Sequence, residues 1–181
     1  MVSSTDIDET TDRIRGAALG LFAQRGYGHT TIEHISTDAG VGVATIYRRW
    51  PDKAAIANEL YSRGLDTMET ILAEPTATEP RAQFIEVWNR AWSWAVDNRE
   101  MFAFINASLG APWLSEDNRD RKAEMTEAEV GTYARLELDA TPDFAAALIG
   151  GALASVLATQ PDVEPDEVAA RLWRALNLSD D

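Results

Sequence analysis

Residues 30–53, TTIEHISTDAGVGVATIYRRWPDK, constrain the fold more than any other stretch of this chain. Thr30-Thr31-Ile32-Glu33 is a capping-box pattern that opens a helix at Thr30, with Glu33 reaching back to the cap. Ile32, Ile35 and Ala39 recur at helical spacing and form its inner stripe. Gly40-Val41-Gly42 breaks that helix and leaves Val41 as an apolar plug in the turn. A second short helix is predicted over 43–50, burying Ile46 and Trp50, and Pro51 prevents its continuation. Upstream, Ile14, Ala17, Ala18, Leu21 and Phe22 share one helical face. That helix is predicted to start at Asp8 or Thr10 and to end at Arg25, with Gly26 taking the left-handed stop conformation. Two short helices joined by a glycine turn, braced by a third, form a helix-turn-helix.

Such a unit offers its last helix to the major groove of DNA, where each base pair shows a distinct pattern of donors, acceptors and methyl groups. With Ile46 and Trp50 inward, helical spacing turns Val43, Ala44, Thr45, Tyr47, Arg48 and Arg49 outward. Arg48 suits a bidentate contact to guanine, and Val43, Ala44 and the Thr45 methyl suit thymine methyls. Thr30, Thr31, Tyr47 and Lys53 are placed for phosphates, helped by the amides at the starts of the second and fourth helices.

Charge is distributed accordingly. The chain of 181 residues has a formal charge of −14, which argues against indiscriminate coating of nucleic acid. Between Arg13 and Lys53, however, six cations face three acids. There is no cysteine, so disulfides, thiolate metal sites and cysteine nucleophiles are excluded together. His29 and His34 lie five apart, poor spacing for a metal on one helical face, and no phosphate-cradling glycine loop occurs. Paired acids such as Asp117 and Asp120, or Glu127 and Glu129, fall on charged helix surfaces and read as solvated. No metal, cofactor or enzymatic activity is expected. No run of about 18 apolar residues exists, so no membrane span is expected, and the opening MVSSTDIDE lacks a signal core. A cytoplasmic protein is expected.

The remainder reads as helix by the same periodicity. Helices are predicted over 53–73, 81–96, 99–109, from Ser115 onward, from Thr141-Pro142-Asp143 to 159, and to about 177. The fold class is all-α, with about nine helices. The expected organisation is a flexible tail (1–9), a helix-turn-helix domain (10–52) and a larger helical domain (53–181). On the predicted eighth helix, Ala147, Gly151, Ala154 and Ala158 make a stripe of small residues that allows close helix approach. The ninth offers Val168, Leu172, Trp173 and Leu176 on one face.

The pattern Phe22, Gly26-Tyr27, Thr30-Thr31, Ile35, Ala39-Gly40-Val41, Thr45-Ile46-Tyr47, Trp50 and Lys53 resembles the tetracycline-repressor (TetR) family of bacterial transcription regulators. The resemblance covers about the first quarter of the chain. Gly42 stands where the family often has a serine cap, and Val43 and Ala44 stand where polar residues are common. The resemblance implies a palindromic double-stranded operator, a homodimer paired through its last two helices, and a small-molecule pocket in the larger domain. Ala147, Gly151, Ala154, Ala158, Leu172, Trp173 and Leu176 are then the expected dimer contacts. Four of the six tryptophans fall between residues 88 and 113, which points to an apolar or aromatic effector. Trp88, Trp92, Met101, Phe104, Ile105 and Trp113 are the expected pocket walls, with Asn89, Asn106 and Tyr133 as polar contacts. The implied function is a repressor released from its operator by that effector, with no membrane partner. The alternatives are a regulator governed by a protein partner instead of a small molecule, or a transcriptional activator.

Overall fold

The computed structural model describes residues 4–72, 75–136, 138–159 and 162–177. Among these the chain is all-α: α1 (Ser4–Arg25), α2 (Ile32–Ala39), α3 (Val43–Tyr47), α4 (Lys53–Met68), α5 (Pro80–Asp97), α6 (Arg99–Ala107), α7 (Glu116–Ala134), α8 (Pro142–Thr159) and α9 (Pro165–Leu176). Several boundaries differ from expectation. α1 begins at Ser4. α3 stops at Tyr47, with Arg48 as its cap. α4 ends at Met68 and passes into a 3-10 turn, Glu69–Leu72.

The chain divides into two compact units: one runs to Asp66 and adds Asn98–Arg119, and the other comprises Thr67–Asp97 and Asp120 onward. In the first unit, Ile14, Ala18, Ile35, Ile46, Ile56 and Leu65 are fully buried, and α1 packs on both α2 and α6. Each buried isoleucine or leucine among them contributes roughly 1.5–3 kcal/mol, and the Ala18 methyl less. α6 and α4 approach closely at Gly64, where a Cβ would come within 2.6 Å of Ile105 Cδ1 and 2.7 Å of Met101 Sδ.

The second unit is built on α5 against α9. Phe84 and Trp173 meet with ring centroids 5.5 Å apart, and Trp88 lies 5.9 Å from Trp92. The Trp88 indole N–H donates to the Pro165 carbonyl at 2.9 Å, fixing the start of α9. Leu172, Trp173 and Leu176, expected at a dimer interface, are therefore corrected: all three are buried within their own chain. α8 behaves differently. Its 18 residues have a mean hydropathy of 1.5, long and apolar enough by length and composition to cross a membrane, yet only 17% of that window is buried. The apolar pattern of α8 is not an unbroken run, because Pro142, Asp143 and Ser155 interrupt it, so the helix departs from the expectation of no candidate span. Ala145, Ile149 and Leu153 face inward, whereas Ala147, Gly151 and Ala158 are exposed and Ala154 is half-buried.

Candidate nucleic-acid interface

α2 starts one residue later than the sequence pattern indicates. Thr31 is its cap, accepting from the His34 N–H at 3.3 Å, and His34 Nδ1 closes the box by accepting from the Thr31 N–H at 3.3 Å. Glu33 does not close it. Hydrogen bonds from its own N–H and from the Thr31 hydroxyl hold its carboxyl below the usual range. At the other end Gly40 is left-handed (φ 63°). Buried Ser36 locks the turn: its carbonyl accepts from Val41 N–H at 3.0 Å, and its hydroxyl donates to the Val41 carbonyl at 2.5 Å. α3 then opens at Gly42 without a side-chain cap.

Ile46 and Trp50 are buried, as helical spacing requires. Ala44, Tyr47 and Arg48 are exposed, Tyr47 by 51%, while Val43, Thr45 and Arg49 are half-buried. Arg48 Nη2 donates to Thr45 Oγ1 at 3.2 Å, and Arg49 Nη1 donates to the Thr45 carbonyl at 3.4 Å. This face thus carries an aromatic hydroxyl, two guanidinium groups and small apolar side chains, which is the chemistry base edges and phosphates require.

Two expected phosphate contacts are corrected. Thr30 is buried, and its hydroxyl donates inward to the Gly26 and Leu21 carbonyls at 3.0 and 3.3 Å. Lys53 Nζ donates to the Tyr27 and Thr30 carbonyls at 2.6 and 2.7 Å and lies 3.9 Å over the Tyr27 ring. Burial pulls its pKa down. Lys53 therefore clasps the loop between α1 and α2. The amide expected to help a phosphate at the start of α4 is also occupied, since Ala55 N–H donates to Asp52 Oδ1 at 2.8 Å. Lys53→Met should lower unfolding free energy by about 2 kcal/mol, from the loss of charge-assisted bonds and a cation over a ring. Urea denaturation checks this; unchanged stability with a flatter salt dependence of DNA binding would return Lys53 to a phosphate role.

The expected pocket residues divide between the units. Met101, Phe104, Ile105 and Trp113 belong to the first, and Trp88, Asn89, Trp92 and Tyr133 to the second. Phe104 and Trp113 form an aromatic group beneath the helix-turn-helix: Trp113 stacks on Tyr27 at 4.6 Å and Phe104 at 6.0 Å, and Phe104 stacks on Phe22 at 5.5 Å. Asn58 holds that loop by donating to the Trp113 carbonyl at 2.9 Å and accepting from Ser115 N–H at 2.7 Å. Exposed Asn106 donates to its own helix, at the Phe102 carbonyl. In the second unit, Asn89 Nδ2 donates to Asp166 Oδ1 at 2.8 Å, while its buried Oδ1 has no protein partner. Tyr133 is buried, and burial together with the nearby Glu129 charge pushes its pKa up. Glu129, expected to be solvated, is half-buried, and burial raises its carboxyl pKa.

Sequence reasoning missed Arg15, Glu59, Asn58 and Ser36. Glu59 was detectable: it lies three residues after buried Ile56 and one before Leu60, and Trp50 brings an indole N–H that needs an acceptor. Among the described residues, no three His, Asp or Glu side chains gather where they would hold a metal ion.

A glycine-turned pair of helices braced by a third, with arginine and tyrosine on the open face of the last, is the arrangement of a helix-turn-helix DNA-binding unit. Residues 14–60 match the family model described as bacterial regulatory proteins, tetR family. The match covers the helix-turn-helix and the start of α4, and it likens this part of the chain to that family. No curated protein matches the sequence. Among solved structures, a bacterial regulatory protein of the tetR family from Rhodococcus is similar, with TM-score 0.76, 19% identity and coverage of 97% of this chain and 98% of that one. The TetR family regulator PfmR from Thermus thermophilus has TM-score 0.72 and 18% identity, covering 97% of each chain. AibR, solved in complex with isovaleryl coenzyme A and operator DNA, has TM-score 0.72 and 14% identity, covering 93% of this chain and 97% of that one. At these identities the likeness is one of fold.

Proposed function

We propose that this chain is a homodimeric repressor that binds a palindromic operator and leaves it when a small apolar or aromatic effector binds. The observation that carries the DNA-reading part is the open face of α3, with Ala44, Tyr47 and Arg48 exposed beside buried Ile46 and Trp50. Half-buried Val43, Thr45 and Arg49 flank that face, and Thr31 stands exposed at the start of α2.

The dimer rests on α8. A helix this apolar, with Phe144 58% exposed beside Ala147, Gly151 and Ala158, needs a cover. Small residues on the outer face favour a second copy of the same helix over lipid, because they let two backbones approach. A symmetric pair would set two recognition helices about 34 Å apart, one turn of duplex.

For the effector, the neighbour with isovaleryl coenzyme A shows that this fold accommodates a ligand alongside DNA. Within the second unit, buried Trp92 is read as an apolar wall of the effector site. The unpaired buried Oδ1 of Asn89 is the acceptor a donor group on the effector would satisfy, and buried Tyr133 is a second polar contact. Effector binding would shift α4, with a coupling of roughly 1–3 kcal/mol, enough to empty an operator.

Selection of duplexes from random DNA, followed by footprinting, tests the reading. Two protected half-sites one turn apart are expected. Arg48→Ala should cost roughly 1–3 kcal/mol and relax preference at one base pair of each half-site. If Arg48→Ala leaves affinity and preference unchanged, the groove assignment fails.

A further inference from the structure

Trp50 follows the recognition helix by three residues and is 5% exposed. A phenyl ring in that place would bring no polar atom, but an indole brings an N–H that a buried site has to satisfy. It donates to Glu59 Oε2 at 2.5 Å. The other oxygen of the same carboxylate, Oε1, accepts from Arg15 Nε at 2.6 Å and lies 2.5 Å from Arg15 Nη2. Arg15 Nη1 in turn reaches Asp12 Oδ1 at 3.0 Å. One side chain on α4 therefore ties α1 to the end of the recognition segment, with both carboxylate oxygens engaged.

These bonds are short, and both guanidinium nitrogens converge on Oε1 while the indole holds Oε2, so the carboxylate is pinned at its two oxygens by different elements. A carboxylate pinned in this way fixes the direction of the indole N–H. Trp50 lies only two residues after Arg48, in a turn held by the Trp50 N–H to the Ile46 carbonyl at 3.0 Å. A displacement of Trp50 as a whole is therefore passed to the turn that carries Tyr47 and Arg48.

We propose that Glu59 is a positioning residue for base readout, setting through the Trp50 indole the angle at which α3 enters the groove. The proposal rests on the DNA-reading assignment above. Its consequence is selective. Binding to any duplex is dominated by phosphate charge and tolerates a small change of helix angle. Base contacts are hydrogen bonds that weaken steeply once misaligned. If α3 samples several angles, apparent affinity for the correct sequence falls in proportion to the competent fraction.

A double-mutant cycle on the full chain tests this. Glu59→Gln, Trp50→Phe and the double variant are each titrated against a duplex selected by the unaltered protein and against a scrambled duplex of equal length. Glutamine presents one oxygen and one amide, so either the indole or the guanidinium meets a donor. Glu59→Gln should weaken binding to the selected duplex about tenfold and to the scrambled one less than about twofold. With Trp50→Phe already in place, Glu59→Gln should change the selected affinity by less than about twofold, because no indole N–H remains to be aimed. Equal losses on both duplexes, or an undiminished loss beside the phenylalanine, overturn the positioning role. If Glu59→Gln does not fold, Trp50→Phe alone carries the test, since deleting the N–H should weaken only the selected duplex; equal loss on both overturns it. An unaltered protein that selects no duplex overturns the DNA-reading assignment and this proposal with it.

Discussion

Phe104→Ala is expected to remove about 3–5 kcal/mol of unfolding free energy and to abolish operator binding as a consequence of lost fold. Phe104 is 1% exposed and sits among three rings, with centroids 5.5 Å from Phe22, 6.0 Å from Trp113 and 6.4 Å from Tyr61. Truncation forfeits the buried area and leaves a cavity lined by aromatic faces, which relax little. Each lost ring pair adds about 0.5–1.5 kcal/mol beyond the area term. Phe104→Leu keeps much of the volume and should cost about half as much. Denaturation followed by circular dichroism, paired with operator titration, reads both quantities. Stability within about 1 kcal/mol of the unaltered chain, with a changed ligand response, would instead make Phe104 the pocket wall proposed from sequence.

The helix-turn-helix was legible because its determinants are local. Glycines at 40 and 42, a threonine cap, an alternation of buried Ile35, Ala39, Ile46 and Trp50, and a proline after Trp50 each act over a few residues. The capping residue was misplaced by one position, since two consecutive threonines offer the same pattern. Burial decides between them, and burial depends on where α1 lies. Thr30 turns inward to the Leu21 and Gly26 carbonyls, leaving Thr31 outside to cap.

Lys53 was misread for a related reason. A lysine following a proline turn beside the recognition helix has the reach for a phosphate, and spacing alone does not reveal closer acceptors. Tyr27 and Thr30 supply those acceptors from 26 and 23 residues upstream. The same limit hid the pairing of Glu59 with Arg15, 44 residues away, although Trp50, only 9 residues away, signalled the need for an acceptor. For α9, periodicity correctly marked Leu172, Trp173 and Leu176 as one apolar face. What that face meets is α5 of its own chain, through Trp173 on Phe84, and no periodicity distinguishes an internal partner from a second copy. α8 shows the converse, for its outer stripe of small residues was legible as a separate face and is the one left open.

Trp88→Ala should cost about 3–5 kcal/mol, expressed in the second unit. Trp88 is 1% exposed, packs on Trp92 and donates its indole N–H to the Pro165 carbonyl at the first residue of α9. Alanine thus removes a large buried ring and the anchor of α9 together. Trp88→Phe separates the two contributions. It keeps most of the apolar area and loses the hydrogen bond, so about 1 kcal/mol is expected from the bond and somewhat more from the smaller ring. Hydrogen exchange gives the location of the damage: amides of α5 and α9 should lose protection, whereas those of α1 to α3 should keep it if the second unit opens as its own cooperative element. A tryptophan whose main duty is to line an effector site would behave in the opposite way. Its removal would leave α9 protected and change only the concentration of ligand needed to release DNA. The hydrogen bond to Pro165 decides the expectation in favour of packing, because a side chain that anchors the start of a neighbouring helix cannot be deleted without releasing it.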